Sequence, residues 1–208
     1  MSATLLSMSM SLDGFVAGPN VRNDNGLGDG GERLHDWLFA GSQPVAAFGG
    51  PDNAQPMAAR RPSGVNDTVF AEIMATGAVV AGRGTFEPAG GWGGDHHDGV
   101  PIFILTRRNP SALRPWPLVT YVDDVARAMA LAKHAAGERD VLVHGAGTAQ
   151  LALRAGVLDE LELTVVPVLL GQGRRLFEAL GPEDIELQRT RVLEGEAGVT
   201  HLHYRVLR

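Results

Sequence analysis

Residues 140 to 166 read Asp140-Val-Leu-Val-His-Gly-Ala-Gly-Thr-Ala-Gln-Leu-Ala-Leu-Arg-Ala-Gly-Val-Leu-Asp-Glu-Leu-Glu-Leu-Thr-Val-Val166, and their rhythm decides the fold class. An apolar run, Val141 to Val143, stops at a glycine-bearing turn, Gly145-Ala146-Gly147. A helix then extends to about Gly156, after which Leu161, Leu163 and Val165 alternate with Glu162 and Thr164 as a half-buried strand does. Strand, helix and strand in succession place two parallel strands in one sheet, with the helix crossing over a face.

The same rhythm runs upstream. A strand from Ala78 to Ala81 meets a second glycine turn and a helix, Ile102 to Leu105 and Leu118 to Tyr121 are further strands, and Asp123 or Asp124 caps a helix burying Val125, Met129 and Ala132. Residues 3 to 11 form the first strand, closed by the turn pair Asp13-Gly14, and a loop over 18 to 31 leads to a short helix, Glu32 to Phe39. Positions 41 to 64, rich in glycine and proline, predict a long excursion. Asn66 is placed to cap a helix presenting Val69, Phe70, Ile73 and Met74 on one face. Downstream, alternating strands at about Ile185 to Leu193 and Val199 to Val206 close through a turn at 194 to 198. The sum is an α/β fold with a mostly parallel mixed sheet and a C-terminal antiparallel hairpin, in one domain over 1–208 and without internal repeats.

Composition excludes several chemistries. The absence of cysteine removes disulfides, thiolate metal sites and thiol nucleophiles. A net charge of -6 argues against general nucleic-acid binding, so any anion site is local. The longest apolar stretch, Leu163 to Leu170, is far short of the ~20 residues that cross a bilayer, and no basic leader precedes the first apolar residues, so a cytoplasmic location is expected. Lys133 is the sole lysine among 18 basic residues, which leaves anion recognition to arginine forks.

Three strand ends carry groups suited to an anion. Gly82-Arg83-Gly84-Thr85 combines bare backbone, a guanidinium and a hydroxyl, and Gly145-Ala146-Gly147-Thr148 is a tight turn at a helix start where backbone N–H groups can hold a pyrophosphate. Thr106-Arg107-Arg108 brings a hydroxyl and two guanidiniums together, as a phosphate monoester such as a 2'-phosphate requires. The second turn lacks a third glycine and a ribose-binding acid about 20 residues on, which favours NADPH over NADH.

Taken with Ser9-Met-Ser11-Leu-Asp13-Gly14-Phe-Val-Ala17-Gly18, Gly156-Val-Leu-Asp-Glu160-Leu and Pro167-Val-Leu-Leu-Gly-Gln-Gly173-Arg-Arg-Leu-Phe177, these motifs resemble the dihydrofolate reductase superfamily, in its riboflavin-biosynthesis reductase branch. The resemblance implies a dihydrofolate-reductase-like three-layer fold and an NADPH-dependent reductase, a homodimer, acting on a small heterocyclic or carbonyl substrate. By the same resemblance Gly82, Arg83 and Thr85 would bind cofactor phosphate, Thr106 and Arg107 the 2'-phosphate, and Gly145, Ala146, Gly147 and Thr148 the pyrophosphate. Val16 and Ala17 would border the nicotinamide, and Asp13 would lie at the substrate end as the catalytic candidate. The sequence departs from the branch at Ser7, where a lysine is typical, and at His144, where a glutamate is.

Other readings stand beside these. Asp13 is either a proton relay or a turn former. Ser11, Trp92 and His144 are candidate substrate contacts, Trp92 as a cover for a planar ligand or as a loop anchor. Asp36 reads as solvated. His96-His97 and the pair His201 and His203 raise a metal reading, but adjacent histidines cannot easily share one ion, and a polar outer strand face accounts for the second pair, so no metal is expected. The alternatives to a reductase are an NADP(H)-binding module without turnover and a histidine-based metal enzyme.

Overall fold

Successive side chains along a strand fall on opposite sides of a sheet, so residues two apart share a side, and the buried residues sort accordingly. Leu6, Ala78, Val80, Val141 and Val143 pack to one side, and Val79, Ala81, Ile102, Ile104 and Leu142 to the other. In the computed structural model, residues 2–39, 62–109, 112–182 and 184–207 are described, so most of the excursion expected at 41–64 lies outside them.

The elements are β1 (Thr4–Ser11), β2 (Phe15–Ala17), a 3-10 turn (Gly31–Leu38), α1 (Gly64–Met74), β3 (Ala78–Gly82), α2 (Arg83–Phe86), a glycine-rich turn (Gly90–Gly94), β4 (Ile102–Leu105) and β5 (Val119–Val122). They continue as α3 (Val125–Ala136), β6 (Val141–His144), α4 (Ala146–Arg154), β7 (Glu160–Val166), β8 (Arg174–Arg175), β9 (Leu187–Glu194) and β10 (Thr200–Val206). The main sheet has the order β5-β4-β3-β6-β1-β7-β10-β9, and β2 pairs with β8 in a small ribbon. β1 and β3 to β7 are mutually parallel, while β10 runs antiparallel to both β7 and β9. The expected α/β architecture with its C-terminal hairpin is what the chain forms.

Helices α3 and α4 cover one face, where Ala128, Ala132, Ala149 and Ala152 let them approach the valines of β3 and β6 closely. Helix α1 and the Gly31–Leu38 turn cover the other face through Val69, Ile73, Leu34 and Trp37. Asp124 caps α3, its carboxylate accepting the N–H of Arg127 at 2.8 Å.

Three local expectations are corrected. The residue before α1 is Ser63, not Asn66, which lies inside the first turn with its side chain turned into the molecule. The helix expected after Gly82 is a single turn. Glu162 and Thr164, expected to face water, are 3% exposed, and His201, assigned to a polar outer face, is 1% exposed, because α1 and the 3-10 turn cover that side of β7 and β10. His201 is held there by three neighbours. Its Nε2 donates to Asn66 Oδ1 at 2.9 Å, its Nδ1 accepts from Thr164 Oγ1 at 2.9 Å, and Trp37 stands edge-on at 5.2 Å. Burial pushes its pKa down to about 4.

Candidate active site

Because β1, β3, β4 and β6 are parallel, their carboxyl ends lie along one edge of the sheet, where an open α/β fold binds ligands. That edge gathers the turns after Gly82, after Leu105 and after His144, together with the Asp13–Ala17 segment. The β3 and β6 turns touch. Gly145 has φ +93°, and a Cβ on it would strike Thr85 Oγ1, while a Cβ on Gly82 would sit 3.2 Å from Thr148 Oγ1. Thr148 Oγ1 is buried and has no hydrogen-bond partner among the described residues, which marks a polar position that protein atoms leave unsatisfied. Arg174, at the start of β8, reaches across and donates to the Gly84 carbonyl at 3.2 Å.

Beside this cradle opens a cleft bordered by Val16, Ala17, Thr85, Ala146 and Arg174 on one side and by Ser7, Ser9, Trp37, Trp92 and His144 on the other. Among the described residues, its titratable or charged lining is His35, His96, His144 and Arg174, with no carboxylate. Trp92 is buried, packed against Phe86 at 5.3 Å, His96 at 4.7 Å and His144 at 5.9 Å, so it is a cleft wall as well as a loop anchor. The Ser9 hydroxyl accepts from Trp37 Nε1 at 2.8 Å, which fixes that indole against the cleft floor.

The predicted residues divide. Val16, Ala17, Thr85, Ala146, Trp92 and His144 line the cleft, while Gly82, Gly145, Gly147 and Thr148 form the adjoining turns. Thr106 and Arg107 lie just past β4, with Arg107 exposed and Thr106 Oγ1 accepting the N–H of Arg108 at 3.0 Å. Arg83 is spent on Glu87, with contacts of 2.7 and 2.8 Å, so its charge faces a carboxylate rather than the cradle.

Asp13 and Ser11 do not line the cleft. Ser11 is fully buried, donates to Asp13 Oδ1 at 2.6 Å and accepts the N–H of Phe15 at 2.9 Å, which leaves its hydroxyl committed. Asp13 also accepts the N–H groups of Leu170 at 3.1 Å and Gly171 at 2.7 Å. These bonds, that from Ser11 foremost, hold its carboxyl below the usual carboxylate range, the opposite of what a proton donor needs. The structure therefore gives Asp13 and Ser11 the turn-forming role.

Arg174, Trp37, His35, His96 and Ser9 belong to the cleft but were not singled out for it from the sequence. Arg174 belongs to the Gly173-Arg-Arg-Leu-Phe177 motif, and the alternation of serine with methionine at positions 7 to 11 marks a polar strand face. The metal reading gains no site: among the described residues no group of three histidines, aspartates or glutamates is placed to hold an ion. No helix among them is long and apolar enough to cross a membrane.

Solved structures share this fold. Over 99% of both chains the fold matches a protein of Shewanella sp. PV-4 named for riboflavin biosynthesis, with 21% identity and a TM-score of 0.66. A pyrimidine reductase-like protein from Corynebacterium diphtheriae matches over 100% of this chain and 92% of its own, with 14% identity and a TM-score of 0.56. Dihydrofolate reductase from Enterococcus faecalis, complexed with NADP(H) and RAB-propyl, matches over 99% of this chain and 97% of its own, with 14% identity and a TM-score of 0.57. No curated protein matches by sequence. The family model of the RibD C-terminal domain matches residues 4–200, and the chain belongs to that family.

Proposed function

We propose that the chain is an NADPH-dependent reductase of a small heterocyclic or carbonyl substrate. The observation that carries this is the cradle between the β3 and β6 turns, with an unsatisfied Thr148 hydroxyl, side-chain-free backbone at Gly82 and Gly145 and the Arg174 guanidinium, opening directly onto an aromatic cleft. That donor set fits a dinucleotide: the N-terminal N–H groups of α4 and the Thr148 hydroxyl would hold the pyrophosphate, and Thr106 with Arg107 a 2'-phosphate. Val16 and Ala17 offer the apolar border that a nicotinamide ring needs. When bound, the cofactor supplies hydride; the protein orients both partners and keeps water out.

The test is a titration of the purified protein with NADPH and separately with NADH, read by tryptophan fluorescence, since Trp92 and Trp37 wall the cleft. Micromolar binding with a preference for NADPH is expected, and Arg107→Ala is expected to weaken NADPH at least tenfold while leaving NADH nearly unchanged. Equal losses for both cofactors would remove the 2'-phosphate assignment. The second reading, a binding module without turnover, draws on the absence of a carboxylate from the cleft lining among the described residues. It predicts tight NADPH binding and no oxidation with dihydrofolate or an aminopyrimidine riboside. The assembly we propose is a homodimer, as the resemblance implies.

A further inference from the structure

The indole of Trp37 walls part of the cleft, and a ligand packed against it can be no better oriented than the indole is. Its N–H, which only donates, goes to the Ser9 hydroxyl at 2.8 Å and fixes one end of the ring. The rest of its support comes from residues behind the wall. Asn66, in the first turn of α1, donates through Nδ2 to the Trp37 carbonyl at 3.4 Å. The His201 ring, 1% exposed, meets the indole edge-on, with centroids 5.2 Å apart and planes at 73°.

Hydrogen bonding leaves this group one arrangement. Asn66 Nδ2 also faces the Glu196 carbonyl at 3.3 Å, and carbonyls only accept, so the amide nitrogen points to Trp37 and Glu196 while Oδ1 points to His201. Oδ1 in turn only accepts, so His201 Nε2, 2.9 Å away, carries the hydrogen. Burial holds the pKa of His201 at about 4, the ring is neutral, and its bare Nδ1 accepts the Thr164 hydroxyl at 2.9 Å. His201 and Thr164 are register partners across the antiparallel β7–β10 pair, so the sheet sets where the imidazole stands. The turn between β9 and β10 packs on the same hydrogen bond: a Cβ on Gly195 would strike Asn66 Oδ1 and stand 2.8 Å from His201 Nε2. The Glu196 carboxylate accepts the N–H groups of Val65 and Asn66, each at 3.1 Å, which ties that turn to the start of α1. An apolar side chain at 201 would fill the site at a lower cost in desolvation, but would leave Oδ1 unpaired and the amide of Asn66 free to turn over.

We propose that His201 is a positioning residue for the reductase: it fixes Asn66 and the edge of Trp37, and so sets the plane of the cleft wall against which the substrate lies, without reaching the cleft itself. The assignment rests on the reductase reading. Loss of the imidazole is then felt by the oxidised substrate and not by the cofactor, because Trp37 borders the side of the cleft away from Val16, Ala17 and the cradle.

The experiment follows solvent exchange of the indole N–H signals in the 15N-labelled full chain, with Trp37 assigned through Trp37→Phe, in the parent, His201→Gln and His201→Leu. Glutamine supplies a donor for Asn66 Oδ1 and an acceptor for the Thr164 hydroxyl, whereas leucine supplies apolar volume alone. The Trp37 N–H of the parent is expected to exchange slowly. His201→Leu should speed it roughly tenfold or more while the Trp92 N–H keeps its parent rate, and His201→Gln should restore most of the protection. A side chain needed only to fill space predicts the reverse order, with leucine tolerated and glutamine not. That order, or an acceleration shared equally by Trp92, would overturn the proposal. Asn66→Ser, which removes the contact to the Trp37 carbonyl and keeps a hydroxyl in the first turn of α1, should also speed Trp37 exchange, and it gives the reading if the leucine variant does not fold. With NADPH and dihydrofolate or an aminopyrimidine riboside, whichever the parent reduces, His201→Leu should raise KM for that substrate about tenfold, with kcat within about threefold and the NADPH dissociation constant unchanged. An unchanged KM overturns the proposal and leaves the reductase reading standing. A parent that binds no NADPH sinks the reductase reading; in that case, and where neither probe is reduced, the exchange rates alone decide what His201 does.

Discussion

At the scale of single residues, the buried polar face of β7 and β10 makes pH part of stability. Glu162 is enclosed, with one oxygen at 3.1 Å from Arg191 and the other, Oε1, without a partner among the described residues. Burial pushes its pKa up to about 7, and Arg191 opposes this only in part because its guanidinium also holds Glu72 at 2.7 Å. A carboxyl that binds its proton more tightly folded than unfolded favours the folded state at low pH. Stability is therefore lost as pH rises from about 4.5 to about 7, and the loss is constant above that. Glu162→Gln is expected to match the parent at pH 4 and to exceed it at pH 8 by as much as about 3 kcal/mol in denaturant unfolding. A variant no more stable than the parent at pH 8 would show that Arg191 satisfies the charge after all. His201 works in the opposite sense, since its depressed pKa costs stability as pH falls from 6.5 towards 4. Neither residue was legible as buried. Alternation tells which residues share a face of a strand, but Asn66 and Trp37, which cover that face, lie far away in sequence.

At the scale of elements, the glycine turns are the part of the site that could be read directly, because backbone that must pass close to other backbone excludes side chains. Gly145 and Gly147 separate the two reasons for glycine. A methyl on Gly145 meets Thr85 Oγ1 and forces φ +93° on an L-residue, whereas nothing lies within 4 Å of a Cβ at Gly147. Gly145→Ala is expected to cost about 1–3 kcal/mol and to lower NADPH affinity at least tenfold, since α2 and α4 must separate. Gly147→Ala is expected to leave stability within about 0.5 kcal/mol, measured in the same melts. Strands β3, β4 and β6 were legible to within a residue because apolar runs bounded by glycine or charge leave little choice. Arg174 was not, because its place depends on β8 pairing with β2, segments joined only in the folded chain. The one-turn helix α2 was equally hidden: Gly82 marks its start, but nothing local states that it ends at Phe86.

At the scale of the whole molecule, α3 and α4 lie on β3, β4 and β6, and the same side of the hairpin is left with half-buried Leu202, Tyr204 and Val206 and exposed Leu187 and Val192. That surface suits the proposed homodimer. Sedimentation should give twice the 22.0 kDa chain mass, and Leu187→Asp with Val192→Asp should shift it toward the monomer; an unchanged mass would place the interface elsewhere. The order of strands has another consequence, for the making of the protein. Thr4 pairs with Val141 and Leu5 with Glu160, so β1 leaves the ribosome well before β6 and β7, the neighbours it meets inside the sheet. Its apolar Leu5 and Leu6 stay without partners during most of translation, which invites chaperone capture, and a chain that stops short of Glu160 has no second wall in which to enclose them.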